Sequence, residues 1–319
     1  VITGWQLRAR FARGLSELYG REVPAYTTLV DVAGRVNAAV VTELGDAAER
    51  LGGIERVTAE RHGAIRVGTA TELAQVGRVF AAFGMYPVGF YDLRDANPAI
   101  PVVSTAFRPI DAQELERNPF RVFTSLLAVD DSRFFDADLR ADLHDFLGKR
   151  ILFAPELLRL ADRAVAAGGL DADDADEFLR LAIGTFALSS EPIEAAWYQR
   201  LARVSAVAAD IGGSASTHIN HLTPRVLDID RLYQAMLDHG IEMIDEIQGP
   251  PRWDGPDLLL RQTSFRALAE ARKFRDPDGQ IHTGELRVRF GEVEARGIAL
   301  TPSGRDIYDR IMAGAQPGA

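Results

Sequence analysis

Apolar residues recur at helical spacing along "WQLRARFARGLSELYG" (residues 5–20) and again along "TLVDVAGRVNAAVVTELG" (28–45). Each run closes on a glycine, so the chain opens with two predicted helices. At "RHGAIRVGTA" (61–70) the pattern alternates sides as a strand does, and a helix, "TELAQVGRVFAAFG", follows. Three strand-like runs come next: "MYPVGFYDL", "IPVVSTAFRPI" and "FRVFTSLLAV". From about 131 to 212 the spacing is helical, in "FFDADLRADLHDFLGKR", "PELLRLADRAVAAGG", "DADEFLRLAIGTFAL" and "PIEAAWYQRLARVSAVAADIGG", with Asp or Ser at starts and Gly at ends. Strand spacing then returns in "STHINHLTPRVLDI", gives way to a helix, "DRLYQAMLDHG", and resumes in "IEMIDEI", "DLLLRQTSFRAL" and "GELRVRFGEVEARG".

The two strand-rich stretches match in order. His62-x-x-x-Arg66-Val67 corresponds to His221-x-x-x-Arg225-Val226, and each is followed by a helix ending at Gly84 or Gly240. Each stretch then carries T-x-F-R, at Thr105–Arg108 and Thr263–Arg266, and an R-V strand around Arg121 or Arg287. Four matches in the same order favour a duplicated βαβββ unit over two unrelated stretches. The expected fold is α+β: N-terminal helices (1–54), a first βαβββ unit (55–130), a helical insertion (131–214), a second βαβββ unit (215–300) and a C-terminal tail (301–319). The two units are expected to form one curved sheet. Whether the helical middle is a lid or an oligomer surface stays open.

Composition narrows the function. The net charge is −10 and the pI near 5.2, which argues against nucleic acid or an anionic membrane as the main partner. With no cysteine, disulfides, zinc–thiolate sites, iron–sulfur clusters and thiol nucleophiles are excluded. No run reads as a signal peptide or a membrane span, so the expectation is a cytoplasmic, soluble protein. G-x-S-x-G, P-loop and H-E-x-x-H motifs are absent, and "GGSAS" at 212–216 does not sit between a strand and a helix as a phosphate loop does.

The repeated motif carries the candidate chemistry. On a strand, residues i and i+4 share a face, so His62 lies with Arg66 and His221 with Arg225. Taken singly, each reads as a structural residue; repeated, the pairs can bring two imidazoles to one spot on a concave sheet. Two histidines and one carboxylate complete a facial triad for non-haem Fe(II), with positions left for substrate and dioxygen. Glu292 and Glu294, on one face of the last strand, are the carboxylate candidates, and parity does not choose between them. Ser125 or Leu126 is expected opposite Glu292 in the first unit, so no fourth ligand is supplied. His218 has the wrong offset from Arg225 and no counterpart, and His144, His239 and His282 are expected at the surface.

The stretches "ARFARGLSELYGREVPAYTTLVDVAGRVN", "ERHGAIRVGT", "HINHLTPRVLDID", "LLLRQTSFRAL" and "FGEVEARGIALTPSGRDIYD" resemble the 2-oxoadipate dioxygenase/decarboxylase family, related to the vicinal oxygen chelate superfamily, from about residue 5 to 311. The resemblance implies Fe(II) held by His62, His221 and a glutamate, with Arg66 on a substrate carboxylate; by the repeated motif, Arg225 is the second substrate-binding candidate. The closing strand also looks like the metal strand of 4-hydroxyphenylpyruvate dioxygenases, where the ligand glutamate follows a phenylalanine by two residues. Phe290-Gly291-Glu292 thereby selects Glu292. The implied partners are dioxygen and a 2-oxo acid, with 2-oxoadipate giving 2-hydroxyglutarate and carbon dioxide. Family members are longer, with a C-terminal continuation that helps line the pocket, so the metal chemistry is expected to carry over better than the substrate. The alternatives are a metal-dependent isomerase or lyase, separable by oxygen consumption, and a non-catalytic binder, separable by metal content.

Overall fold

The computed structural model describes residues 1–51, 54, 57, 61–252, 257–267, 269–287 and 289–314. The chain folds into two bodies, each gathered from separate stretches. One comprises Val1–Thr28, Glu60–Thr223 and Arg266–Gly291; the other comprises Leu29–Ala59, Pro224–Phe265 and Glu292–Ala319.

The first body begins with helix α1 (Gly4–Glu22), where the Gln6 side chain accepts the Thr3 N–H at 2.9 Å. Leu7, Phe11, Leu15, Leu18 and Tyr19 form its buried face, and Phe11 stacks on Phe83 at 4.4 Å. Gly20 does not end this helix. A Cβ there would meet Thr27 Oγ1 at 2.8 Å, so this glycine serves close packing against α2 (Pro24–Leu44). Gly45, at φ +53°, does end the second helix, as its sequence position predicts.

Strand β1 (Arg61–Val67) leads to helix α3 (Ala70–Ala82), β2 (Tyr86–Asp92), β3 (Val102–Arg108), a short helix α4 (Ala112–Arg117) and β4 (Arg121–Leu127). Apart from α4, which its polar sequence did not announce, this is the predicted βαβββ unit. β1 pairs in parallel with β4, while β2–β3 and β3–β4 are antiparallel. The far edge of β1 receives β6 (His221–Pro224), so the sheet order is β2-β3-β4-β1-β6. The insertion runs α5 (Ala137–Gly148), α6 (Pro155–Ala167), α7 (Ala172–Thr185), α8 (Ala195–Ala202) and α9 (Ala206–Gly212), less regularly than its spacing suggests. The run 192–213, read as one helix, breaks because Ser205 Oγ accepts the Ala208 N–H at 2.9 Å and caps a fresh helix. A three-stranded sheet joins β5 (Ile193–Glu194), β8 (Glu270–Arg275) and β9 (Ile281–Leu286), in that order. β8 escapes prediction because its sequence, EARKFR, buries only Arg272 and Phe274.

The second body holds α10 (Ile229–Asp238) and a pair formed by β7 (Leu260–Phe265) and β10 (Gly291–Arg296). Arg225 bridges Glu294 in parallel, and Met243 and Gln248 bridge Phe265 and Gln262 antiparallel. These pairings repeat the β1–β4 and β2–β3 relations. "IEMIDEI", expected as a full strand, contributes only such a bridge. The β8–β9 hairpin interrupts the second repeat before its last strand, so Arg287 follows the end of β9 rather than standing on the closing strand, and Val288 lies outside the described residues. The stretch expected as a tail contains helix α11 (Pro302–Gly314).

Candidate metal centre

β1 sends Gly63, Ile65 and Val67 to one face and His62, Ala64 and Arg66 to the other. Parallel pairing places Arg121, Phe123 and Ser125 of β4 beside His62, Ala64 and Arg66, and antiparallel pairing sets Ser104 of β3 beside Ser125. The face therefore carries the His62 imidazole beside Arg121 at one end, small and aromatic residues in the middle, and the Arg66 guanidinium with two hydroxyls at the other. Phe123 meets His62 edge-on at 5.3 Å, and the two serine hydroxyls lie 2.7 Å apart.

His221 opens β6, next to β1, and the two imidazoles stand perpendicular with centroids 5.7 Å apart. His221 Nδ1 is 3.1 Å from Thr223 Oγ1. The tautomer that donates Nδ1–H to that oxygen presents the Nε2 lone pair, the arrangement typical of metal-ligating histidines. Phe290 stacks on the His221 ring at 5.1 Å. Two residues on, bonded to Gly291, comes Glu292. One donor atom each from His62, His221 and Glu292 all lie within 4.8 Å of one another. Two imidazole nitrogens and a carboxylate oxygen are a donor set suited to a divalent first-row metal, so the residues present fit the implied ion.

The backbone beneath this cluster is braced by Tyr19 of α1. Its hydroxyl donates to Phe290 O at 2.8 Å and faces Asn220 O at 3.0 Å, the carbonyls just before Gly291 and His221. Burial pushes the Tyr19 hydroxyl well above its ordinary pKa, so it stays protonated as a donor. Arg289 lies over the Tyr19 ring, 5.4 Å from its centroid, and pairs with Glu22 and Glu270.

Arg66 Nη1 donates to Asp210 Oδ2 at 2.5 Å. Glu294, the other carboxylate candidate, is buried, and its Oε1 accepts Arg296 Nε at 2.6 Å. Arg225 keeps its backbone in register through Glu294 and gives its carbonyl to Asn37 Nδ2 at 3.0 Å. His218 is buried, 3.1 Å from Asn220 Nδ2, and outside the three-residue cluster, whereas His144, His239 and His282 are exposed as predicted. Sequence reasoning missed Asp210, Tyr19, Phe123 and Ser104. Only Asp210 left a signal, an acid inside the small apolar run "AVAADIGG".

Register also corrects the expected counterpart of Glu292. Arg66 pairs with Ser125 as Arg225 pairs with Glu294, so Ser125 matches Glu294 and Phe123 matches Glu292. A phenyl ring against His62 stands where the second repeat has Glu292.

Fold and cluster together define a duplicated α+β scaffold that carries a metal-capable donor set. A putative glyoxalase superfamily protein from Ralstonia eutropha shares the fold, with TM-score 0.60 at 20% identity over 89% of this chain and 95% of that one. A family profile described as 2-oxoadipate dioxygenase/decarboxylase matches residues 11–318, and the chain belongs to that family. A 2-oxoadipate dioxygenase/decarboxylase of Mycobacterium tuberculosis is 66% identical over 314 residues, covering 98% of this chain and 75% of the relative. The crystal structure of the hydroxyglutarate synthase from Pseudomonas putida in complex with 2-oxoadipate superposes with TM-score 0.88 at 42% identity, covering 99% of this chain and 71% of that one.

Proposed function

We propose that this chain is a non-haem Fe(II) dioxygenase that converts 2-oxoadipate and dioxygen to 2-hydroxyglutarate and carbon dioxide. The observation that carries the proposal is the convergence of His62, His221 and Glu292, in a member of a family whose relatives bear that activity in their names. Bound Fe(II) supplies the capacity to activate dioxygen next to a chelating 2-oxo acid. The bookkeeping closes: the C1–C2 bond breaks and C1 leaves as carbon dioxide. One oxygen atom enters the new carboxylate at the former keto carbon, the other a hydroxyl on the next carbon.

The chain's own residues bind, orient and shield. Arg66 offers a planar fork to a substrate carboxylate, which lysine cannot match in geometry. Arg225 is the second proposed carboxylate ligand, on its equivalence to Arg66. Phe123 and Phe290, packed on the two histidines, keep water from the metal-facing edges. The cytoplasm is the proposed location; in the structure itself, no described helix is long and apolar enough to cross a membrane. Product analysis under labelled dioxygen tests the reaction. Two labelled atoms in 2-hydroxyglutarate are expected, one in a carboxylate and one in the hydroxyl. Unlabelled product, or isomerised substrate without oxygen use, would refute it.

A further inference from the structure

Arg66 is anchored by a buried carboxylate, that of Asp210. Asp210 Oδ2 accepts Arg66 Nη1 at 2.5 Å and Asn220 Nδ2 at 3.1 Å, and the same amide lies 3.1 Å from His218 Nε2. The Asp210 side chain is 4% exposed and that of Arg66 20%, so the anchor is inside and the guanidinium reaches outward. Among the described residues the rest of the guanidinium makes no other hydrogen bond, which leaves its Nε–Nη2 edge for a carboxylate.

Anchor and arginine are tied to a common frame. Arg150 Nη1 donates to Ile211 O at 2.6 Å and Ser214 O at 2.9 Å, fixing the end of α9 that carries Asp210. The same guanidinium pairs with Glu72 through Nη2 at 2.7 Å, and Glu72 accepts the Gly68 N–H at 2.7 Å, two residues beyond Arg66. Thr217 Oγ1 donates to the carbonyl of Arg66 at 2.7 Å. Both ends of the Arg66–Asp210 contact are therefore fixed by one buried ion pair.

We infer that Asp210, locked by Asn220 and His218, is a positioning residue that presets Arg66 to receive a substrate carboxylate. This rests on the reading of Arg66 as a carboxylate ligand. An arginine with one nitrogen already held gives up fewer rotamers on binding, and its free edge is aimed before the substrate arrives.

The test is a double-mutant cycle on iron-loaded protein: Asp210→Asn, Arg66→Met and both together. The readouts are KM and kcat for 2-oxoadipate, anaerobic calorimetric affinity for the same acid, and iron content. Asp210→Asn should raise KM and the dissociation constant roughly tenfold to a hundredfold, with a smaller change in kcat and unchanged iron content. In the Arg66→Met background it should add nothing. The same increase in both backgrounds, an unchanged KM, or lost iron would overturn the inference while leaving the reading of Arg66 intact. An Arg66→Met variant that binds 2-oxoadipate as the unaltered protein does would overturn both. Should Asp210→Asn fail to fold, Asp210→Glu keeps the charge and displaces the anchor by a methylene. It should raise KM likewise, and a normal KM in that variant would equally overturn the inference.

Discussion

Glu292 and Glu294 stand two residues apart on β10, and their surroundings divide their roles. Glu294 is 3% exposed and bonded to Arg296, while Glu292 is partly buried and grouped with the two histidines. Glu292→Gln should abolish stoichiometric iron binding with little change in thermal stability. Glu294→Gln should keep the iron and lose about 1–3 kcal/mol of stability, since it weakens a buried charged pair. Metal analysis and thermal melts of the two variants check this; the opposite pattern would move the ligand to Glu294. His218 sets a pH dependence of its own. Burial pushes its imidazole below the ordinary 6.5, so the unfolded chain takes up a proton that the folded chain refuses. At Asp210, burial opposes ionisation, but positive charge and the hydrogen bonds from Arg66 and Asn220 outweigh it and hold the carboxyl below its usual range. The His218 shift favours the folded state above pH 6.5, and that contribution is lost as pH falls below it. The melting temperature should therefore fall from pH 7 towards about pH 5, more steeply in the unaltered protein than in His218→Gln. Equal slopes would remove His218 as a source.

At the scale of elements, α1 reaches across the chain to the backbone that presents two of the three proposed ligands. Tyr19→Phe removes the hydroxyl donated to Phe290 O without changing the ring over which Arg289 lies. It should cost about 1 kcal/mol of stability and weaken iron binding roughly tenfold, which competition with a chelator measures. Unchanged affinity would reduce Tyr19 to a core residue. The sequence announced α1 because its apolar residues keep helical spacing, yet nothing local says that Tyr19 meets a carbonyl some 270 positions away. For the same reason the first βαβββ unit was legible: its strands are apolar, short and punctuated. β8 was not, because it places charged residues in a strand buried at two positions. The helix break at Ser205 turns on one serine hydroxyl reaching the N–H of Ala208, a choice that periodicity cannot see. His62 and His221 were legible because the same motif is written twice, and Asp210 was hidden because its partner Arg66 is 144 residues away.

For the whole molecule, duplication explains both the likeness and the difference of the repeats. Each repeat pairs its first strand in parallel with its last, with Arg66 beside Ser125 in one and Arg225 beside Glu294 in the other. The repeats then diverge at one register position, where one has Glu292 and the other Phe123. A glutamate in both repeats would offer four protein donors, whereas a glutamate in one and a phenyl ring in the other offer three, the donor count of the proposed facial triad. His62, His221 and Glu292 are proposed to hold Fe(II) for an oxygen-consuming decarboxylation. The most direct test reconstitutes the protein with Fe(II) anaerobically, then records oxygen uptake and carbon dioxide release with 2-oxoadipate, beside a His221→Ala control. One carbon dioxide should be released per dioxygen consumed, and neither change should occur in the control. Stoichiometric iron with no oxygen uptake, or uptake that survives His221→Ala, would contradict this proposal.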